Sequence, residues 1–349
     1  MAVKEINDSG GIFGHPLELI ALDDRGKAEE AVIASEKLIS QHQVVALIGE
    51  VASTRSIAMA PIAQHYKIPM ISPYSINSKV TQHGDFIFRA CFVDRFQTEA
   101  MAKVARTYLR AKKVGILSDV KSDYSRDLAD QFATFFKREG GEIVIQQSYS
   151  GGDIDFKSQL TAIRAMQPDL LFVPAYYTEA GLIMRQAKEL GLKSPLFGGG
   201  GWDSPILREI AKEAADGAYI LTQFSRDYSS PVAQKFLSKY KTLYGQEPSD
   251  GIIALGYDTT LLIADALKRA LKSSKLNSQE KNLSAVVLPA DLSVALRDAL
   301  ASTVDFLGVT GQLAMDSERN PRKSVTLFQF NSGGRFKRLA TVSPDFRIQ

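Results

Sequence analysis

Short runs of Val, Ile, Leu and Phe recur along the chain, separated by longer stretches in which apolar residues return every three or four positions. The short runs predict strands at 17–22, 44–49, 69–72, 113–118, 141–150, 169–175, 195–199 and 218–224. The helical period between them predicts helices at 28–42, 54–66, 95–110, 125–139, 156–166, 178–190, 204–214 and 230–244. From residue 252 the stretch IIALGYDTTLLIADALKRAL predicts a further helix, KSSKLNSQEKN a loop and SVALRDALAS a short helix. SVTLFQF and RFKRLATV then predict a hairpin turning over Asn331 to Gly334. The apolar runs are continuous rather than alternating, so their strands are buried on both faces. This βαβα rhythm is that of an α/β protein, with parallel sheets covered by helices on both faces.

Boundary residues agree with the pattern. Ser53 and Thr54 stand where the helix after VVALIGEVA needs a cap, and Gly140, Gly141 and Gly191 close helices before the next strand. In parallel α/β sheets ligands bind beyond the carboxyl ends of the strands, where loops lead into helix N-termini. Five stretches meet that description: 49–56, 72–78, 118–125, 174–179 and 198–203. The last contains four consecutive glycines, Gly198 to Gly201, directly before Trp202, the one tryptophan of the chain.

Composition narrows the function. A chain of 349 residues, 45% hydrophobic and 23% charged, has the length for two domains. A net charge of +3 with scattered basic residues excludes the basic stripe of a nucleic-acid binder. Cys91 is the one cysteine, so neither an intramolecular disulfide nor a cysteine zinc site is available. The four histidines, His15, His42, His65 and His83, lack metal-ligand spacing, and no metal site is expected. No apolar run approaches the roughly 18 residues of a membrane span, so no direct membrane insertion is expected, and Met1 to Glu5 do not read as a secretory leader.

Catalytic signatures are missing as well. The glycine strip is followed by Trp202-Asp203 rather than Lys-Ser/Thr, and it does not open a long helix, which argues against a phosphate loop and a dinucleotide cofactor. Asp153 and Asp155 in GGDIDFK flank a helix start, where acids favour the dipole, and read as structural. The candidate loops instead offer hydroxyls and aromatic faces: Ser53, Thr54, Tyr74, Tyr124, Tyr176, Tyr177 and Trp202. Without an acid–base pair, this set reads as a binding site and not as an enzyme.

The same loops carry a resemblance. EINDSGGIFGHPLELIALDD, LIGEVASTRSIAMAPIAQHYKIPMISPYSINSKVTQHGDFIFR, LSDVKSDYSRDLA, YYTEAGLIMRQAKELGLKSPLFGGGGWDS and ALGYDTTLLIADAL resemble, in order, the type I periplasmic solute-binding proteins of the leucine/isoleucine/valine-binding family. The resemblance implies two Rossmann-like lobes joined by three crossings, one of residues 1–93 plus 226–308 and the other of 94–225 plus 309–349. It implies a receptor that closes by hinge motion on an amino acid or related small carboxylate and hands it to a membrane ABC permease. It also implies a periplasmic or extracytoplasmic location. A cytosolic ligand sensor on the same fold is the alternative. Members of the family begin with a leader, a first strand and a loop before the helix ending A-x-x-E-I-N, and here Met1 falls inside that helix. The first strand therefore reads as missing, and the chain is expected to be poorly stable.

The implied ligand contacts are carried over residue by residue. Ser53 in EVASTRS matches the family's carboxylate-binding serine, and it also sits where a helix cap would. In ISPYSINS, Tyr74 keeps an ammonium-binding carbonyl, but Ile76 stands where the family has threonine. In GGGGWDS, Gly200 stands where an ammonium-binding acid belongs. Tyr124 and Tyr176 match ligand-contacting tyrosines, and Thr54 and Trp202 complete the expected set. The pattern implies retained carboxylate recognition with weakened demand for an α-ammonium, unless Asp203 or Glu179 supplies the charge. Arg55 either lends positive potential to the anchor or faces solvent, and Asp258 in GYDTT reads as structural.

Overall fold

In the computed structural model the sheet of the first unit has three parallel strands: β1 (Leu47–Ile48), β2 (Met70–Ser72) and β3 (Ile87–Arg89). Successive side chains point to opposite faces, as the strand period demands. Leu47, Met70 and Ile87 pack with Ala31, Met59 and Ala63 of helices Ala28–Ser40 and Ser53–His65. Ile71 and Phe88 pack the other way, with Leu262 and Leu267 of helix Gly251–Ser273 and Leu296 of helix Ala290–Ala301. Burying each such side chain contributes ~1.5–3 kcal/mol, which is why the runs are apolar without alternation. The structure describes residues 1–224, 230–273, 290–332 and 336–349. It divides into a unit of Met1–Phe92, Tyr228–Pro248 and Ile252–Lys323 and a unit of Val93–Asp227, Ser249–Gly251 and Ser324–Gln349.

One predicted strand is absent. Residues 17–22 (LELIAL) belong to no sheet, and Leu19 is 67% exposed. A strand exists by exchanging backbone hydrogen bonds with a neighbour, and this segment has no such neighbour among the described residues. β1 is correspondingly paired on one side, by β2, and its Ile48 is 40% exposed. Further elements escape the sequence pattern, among them β3, in the apolar FIFR, the short helix Lys79–Gln82, and a ribbon of β9 (Phe306–Gly308) and β10 (Gly311–Leu313).

In the second unit β4 (Lys113–Asp119), β5 (Glu142–Tyr149), β6 (Leu170–Phe172), β7 (Leu196–Gly198) and β8 (Tyr219–Thr222) form a parallel sheet in the order β5-β4-β6-β7-β8. The predicted hairpin, β11 (Val325–Phe330) and β12 (Phe336–Val342), adds antiparallel beside β8, so the seven-stranded sheet is mixed. Its turn residues 333–335 lie outside the described residues, as does 274–289, which includes most of the predicted loop. Both faces of the sheet are covered. Phe172 stacks on Phe132 of helix Asp123–Arg138 with ring centroids 4.1 Å apart, while Leu171 turns into the core that holds Ile183 of helix Tyr177–Glu189.

β4 has β5 on one side and β6 on the other, so the strand order reverses there. Crevices in doubly wound sheets open at such a reversal, outside the carboxyl ends of the strands. The segments leaving β4 and β6 carry Tyr124 and Tyr176.

Candidate functional site

In the first unit the candidate residues gather around Glu50. Three hydroxyls reach its carbonyl oxygen: Ser56 Oγ at 2.8 Å, Ser72 Oγ at 2.7 Å and Ser75 Oγ at 2.8 Å. Ser56 and Ser75 also touch, Oγ to Oγ, at 2.7 Å, and the Ser75 N–H donates to Ser72 Oγ at 2.8 Å. These bonds fasten the turn after β2, which carries Tyr74 and Ile76, to the turn before helix Ser53–His65. Tyr74 and Ile76 are buried, and Thr54 is half-buried in the first turn of that helix.

Ser53 is buried, and Ala52, not Ser53, occupies the cap position of the helix. Its Oγ accepts the N–H of Asn77 at 3.4 Å, which leaves the hydroxyl proton available to a ligand. A hydroxyl in the first turn of a 13-residue helix, at the positive end of its dipole, is suited to an anion. Arg55 turns elsewhere: its guanidinium meets Glu50 at 2.8 Å and Asp24 at 3.4 Å and donates to the Gly26 carbonyl at 3.3 Å. A second cation, Arg89 at the end of β3, reaches the turn after β2. It is fully buried and donates to the carbonyls of Ser75 at 2.9 Å and Asn77 at 2.8 Å.

In the second unit Tyr124 and Tyr176 stack with ring centroids 5.0 Å apart and planes inclined by 27°. The Gly201 N–H donates to the Tyr124 hydroxyl at 3.3 Å. Burial pushes the Tyr124 phenol up to about 12, against the pull of that hydrogen bond, so the group is a neutral hydroxyl at physiological pH.

The glycine strip is explained by what lies against it. A Cβ on Gly198 would sit 2.1 Å from Trp202 Cε2, one on Gly199 2.8 Å from the Tyr124 oxygen, and one on Gly201 2.6 Å from the Ala175 carbonyl oxygen. Rings and backbone occupy the volume that side chains would need. Among the described residues no cluster of acidic, histidine or cysteine side chains could hold a metal ion.

Residues 1–335 match the model of a family described as periplasmic binding protein. The chain belongs to the periplasmic binding protein family. Among solved structures it is similar to a leucine-binding protein, LivK, of Thermotoga maritima, with 34% identity and a TM-score of 0.89 over 99% of this chain and 93% of that one. It is also similar to the branched-chain amino acid transporter substrate-binding protein LivJ of Streptococcus pneumoniae, solved with isoleucine, with 32% identity and a TM-score of 0.85 over 97% and 90%. A Leu/Ile/Val-binding protein homologue of Brucella abortus is 27% identical, over 99% of this chain and 85% of its own length.

In this periplasmic binding protein the expected site residues form two groups. Ser53, Thr54, Tyr74 and Ile76 lie in the first unit, and Tyr124, Tyr176, Gly200 and Trp202 in the second. The Trp202 indole is fully buried among Leu171, Ile183 and Leu207, so it serves the core of the second unit rather than offering open aromatic surface. The two acids offered as substitutes for the one missing at Gly200 are engaged. Asp203 Oδ2 accepts the Gly251 N–H at 3.0 Å and the Thr222 hydroxyl at 3.4 Å, and Glu179 accepts the Gly152 N–H at 3.2 Å. Asp153 and Asp155 accept backbone N–H groups of Ser150 and Lys157, a loop-fixing role. Asp258 accepts the N–H groups of Val309 at 2.7 Å and Thr310 at 2.9 Å and is likewise structural.

Sequence reasoning missed Arg89 and the serine cluster. The signal for Arg89 was present: an arginine ending an otherwise apolar run, IFR, has to be buried with partners or to end the strand in solvent.

Proposed function

We propose that this chain is the solute receptor of an ABC importer, working outside the cytoplasm, and that its solute is a small carboxylate whose α-ammonium contributes little to binding. The observation that carries the reading is the Ser53 hydroxyl at the first turn of helix Ser53–His65, held by the Asn77 N–H and not used as a cap. A carboxylate there meets a hydroxyl donor and the positive end of a helix dipole. The named ligands of relatives, leucine and isoleucine, bear such a group.

The reduced demand for ammonium rests on Ile76 and Gly200 standing where the resemblance implies threonine and an acid, while Asp203 and Glu179 each already accept a backbone N–H. An unmade hydrogen bond to a charged group costs ~1.5–3 kcal/mol, roughly tenfold to a hundredfold in affinity. A desolvated ammonium lacking its acid therefore gains little over no ammonium at all.

Calorimetry with leucine, isoleucine, their deaminated counterparts 4-methylpentanoate and 3-methylpentanoate, and benzoate tests both parts. The expected result is that a deaminated acid or benzoate binds at least as tightly as the amino acids. Gly200→Glu should then shift the preference toward leucine by tenfold or more. Leucine binding a hundredfold tighter than 4-methylpentanoate in the unaltered protein would overturn the ammonium reading. Failure of every carboxylate to bind would overturn the receptor reading.

A further inference from the structure

The geometry points to Arg89 as the positioning residue of the carboxylate anchor, a buried cation that acts on the ligand through the peptide groups it grips. This rests on the function proposed above and names the group that makes the anchor selective for an anion.

Arg89 ends β3 directly beside Ser72 of β2. From there its guanidinium passes beneath the turn that follows β2. One Nη donates to the Ser75 carbonyl, and the other donates to the Asn77 carbonyl and reaches Thr81 Oγ1 at 3.4 Å. The residue is fully buried, and guanidinium stays protonated at any accessible pH. A rigid fork with donors at fixed separation is the group able to hold two carbonyls two residues apart; an ammonium presents its donors from a single atom.

Two consequences follow for the anchor. First, the turn is clamped between two sets of bonds, with the serine hydroxyls on the Glu50 side and Arg89 on the other. Between them Asn77 is held so that its N–H meets Ser53 Oγ. Second, each gripped carbonyl shares a peptide unit with the N–H of the next residue, Ile76 or Ser78. Drawing electron density toward the guanidinium makes those N–H groups stronger donors, and the positive charge acts over several ångströms in a poorly polarisable interior. Arg55, the cation closer in sequence to Ser53, is neutralised by Glu50 and Asp24.

A residue that only held the turn in place would affect every solute alike. A cation that tunes the anchor favours a carboxylate over a neutral carboxamide of the same shape. The test is calorimetry on the full chain and on Arg89→Lys, with leucine and leucinamide, and with 4-methylpentanoate and its amide. The variant is expected to bind the carboxylates at least tenfold more weakly and to lose at least fivefold of the carboxylate-over-carboxamide preference. Hydrogen exchange of solute-free protein should also speed up over residues 74–78.

Unaltered affinity, or an equal loss for acid and amide, overturns the proposal. If Arg89→Lys does not fold, nitrogen-15 spectra of the unaltered protein decide. The Arg89 guanidinium signal should move on adding leucine and not on adding leucinamide, and an unmoved signal overturns the proposal. Failure of the unaltered protein to bind any of the carboxylates rejects the receptor reading, and the carboxylate half of this inference with it; the exchange measurement still judges the clamping of the turn.

Discussion

Replacing Gly198 by alanine perturbs one methyl group whose surroundings are known in detail. The added Cβ would lie 2.1 Å from Trp202 Cε2 and 2.4 Å from both Cδ2 and Cζ2, well inside van der Waals contact with a rigid bicyclic ring. The backbone offers no relief. β7 is paired in parallel on both sides, Phe197 with Phe172 and with Tyr219, and Gly198 with Ile220. The indole is also packed all round, being fully buried. Overpacking of a filled core costs ~1–3 kcal/mol, and two immovable neighbours place this case near the top, about 3 kcal/mol. At ~2–4 °C per kcal/mol for a domain of ~150–250 residues, the melting temperature of the second unit should fall by roughly 6–12 °C. Because Trp202 is the one tryptophan in the chain, its emission reports that unit alone. Thermal unfolding followed by tryptophan fluorescence is therefore the assay, with circular dichroism for the whole chain. Gly198→Ala combined with Trp202→Leu, followed by circular dichroism, should lose less than the two single changes added together, since the smaller side chain vacates the clash. A Gly198→Ala protein melting within a degree of the unaltered one, with the same emission maximum, would refute the claim that Gly198 lacks a side chain to admit the indole.

Two other outcomes concern buried ionisable groups. Burial raises the Tyr124 phenol from 10.0 to about 12. A folded value above the unfolded one means stability present below pH 10 and lost as the pH climbs toward 12, about 3 kcal/mol in all. Urea unfolding across that range should show the decline and Tyr124→Phe should reduce it, whereas a phenolate absorbance titration that assigns Tyr124 an ordinary midpoint near 10 sinks the idea. In the first unit, Lys323 donates to Thr310 Oγ1 at 2.6 Å, and that hydroxyl donates to Asp258 at 2.5 Å. Burial pushes the Asp258 carboxyl up and the Lys323 ammonium down, and each charge opposes the other's shift. Lys323→Met therefore strands a buried carboxylate and should cost ~3–5 kcal/mol. The loss should grow as the pH rises through the now higher folded carboxyl value, and equal urea midpoints for variant and unaltered protein at pH 5 and pH 8 would show that the pair is immaterial.

Much of the fold was legible because parallel strands buried on both faces leave a mark that needs no partner to read: apolar runs such as DLLFVPA between helical periods. The misses are elements whose state depends on neighbours. LELIAL has the composition of a strand, but nothing among the described residues lies alongside to exchange hydrogen bonds with it. FIFR is too short and too uniformly apolar to separate from a helix fragment by period alone, and the β9–β10 ribbon depends on Asp258 gathering the N–H groups of Val309 and Thr310. At the site, residue types pointed to the loops. What each side chain does there was a matter of packing: Trp202 is the largest aromatic of its loop, yet it faces inward. Arg55 is the nearest cation in sequence to Ser53, yet it is occupied by acids, while the distant Arg89 reaches the turn.

The convergence of Ser56, Ser72 and Ser75 on a single carbonyl has a consequence for genetics. A carbonyl oxygen has two lone pairs and each hydroxyl one proton, so the three side chains compete for the same acceptor, with Val51 O, 3.0 Å from Ser75 Oγ, as an overflow. The Ser75 hydroxyl can be lost with the other two still reaching the carbonyl, whereas losing Ser72 also strands the Ser75 N–H and losing Ser56 the Glu50 N–H. Variation at Ser75 will therefore look harmless when surveyed singly and reveal its weight in pairs with Ser56 or Ser72, a form of epistasis written into a single peptide group.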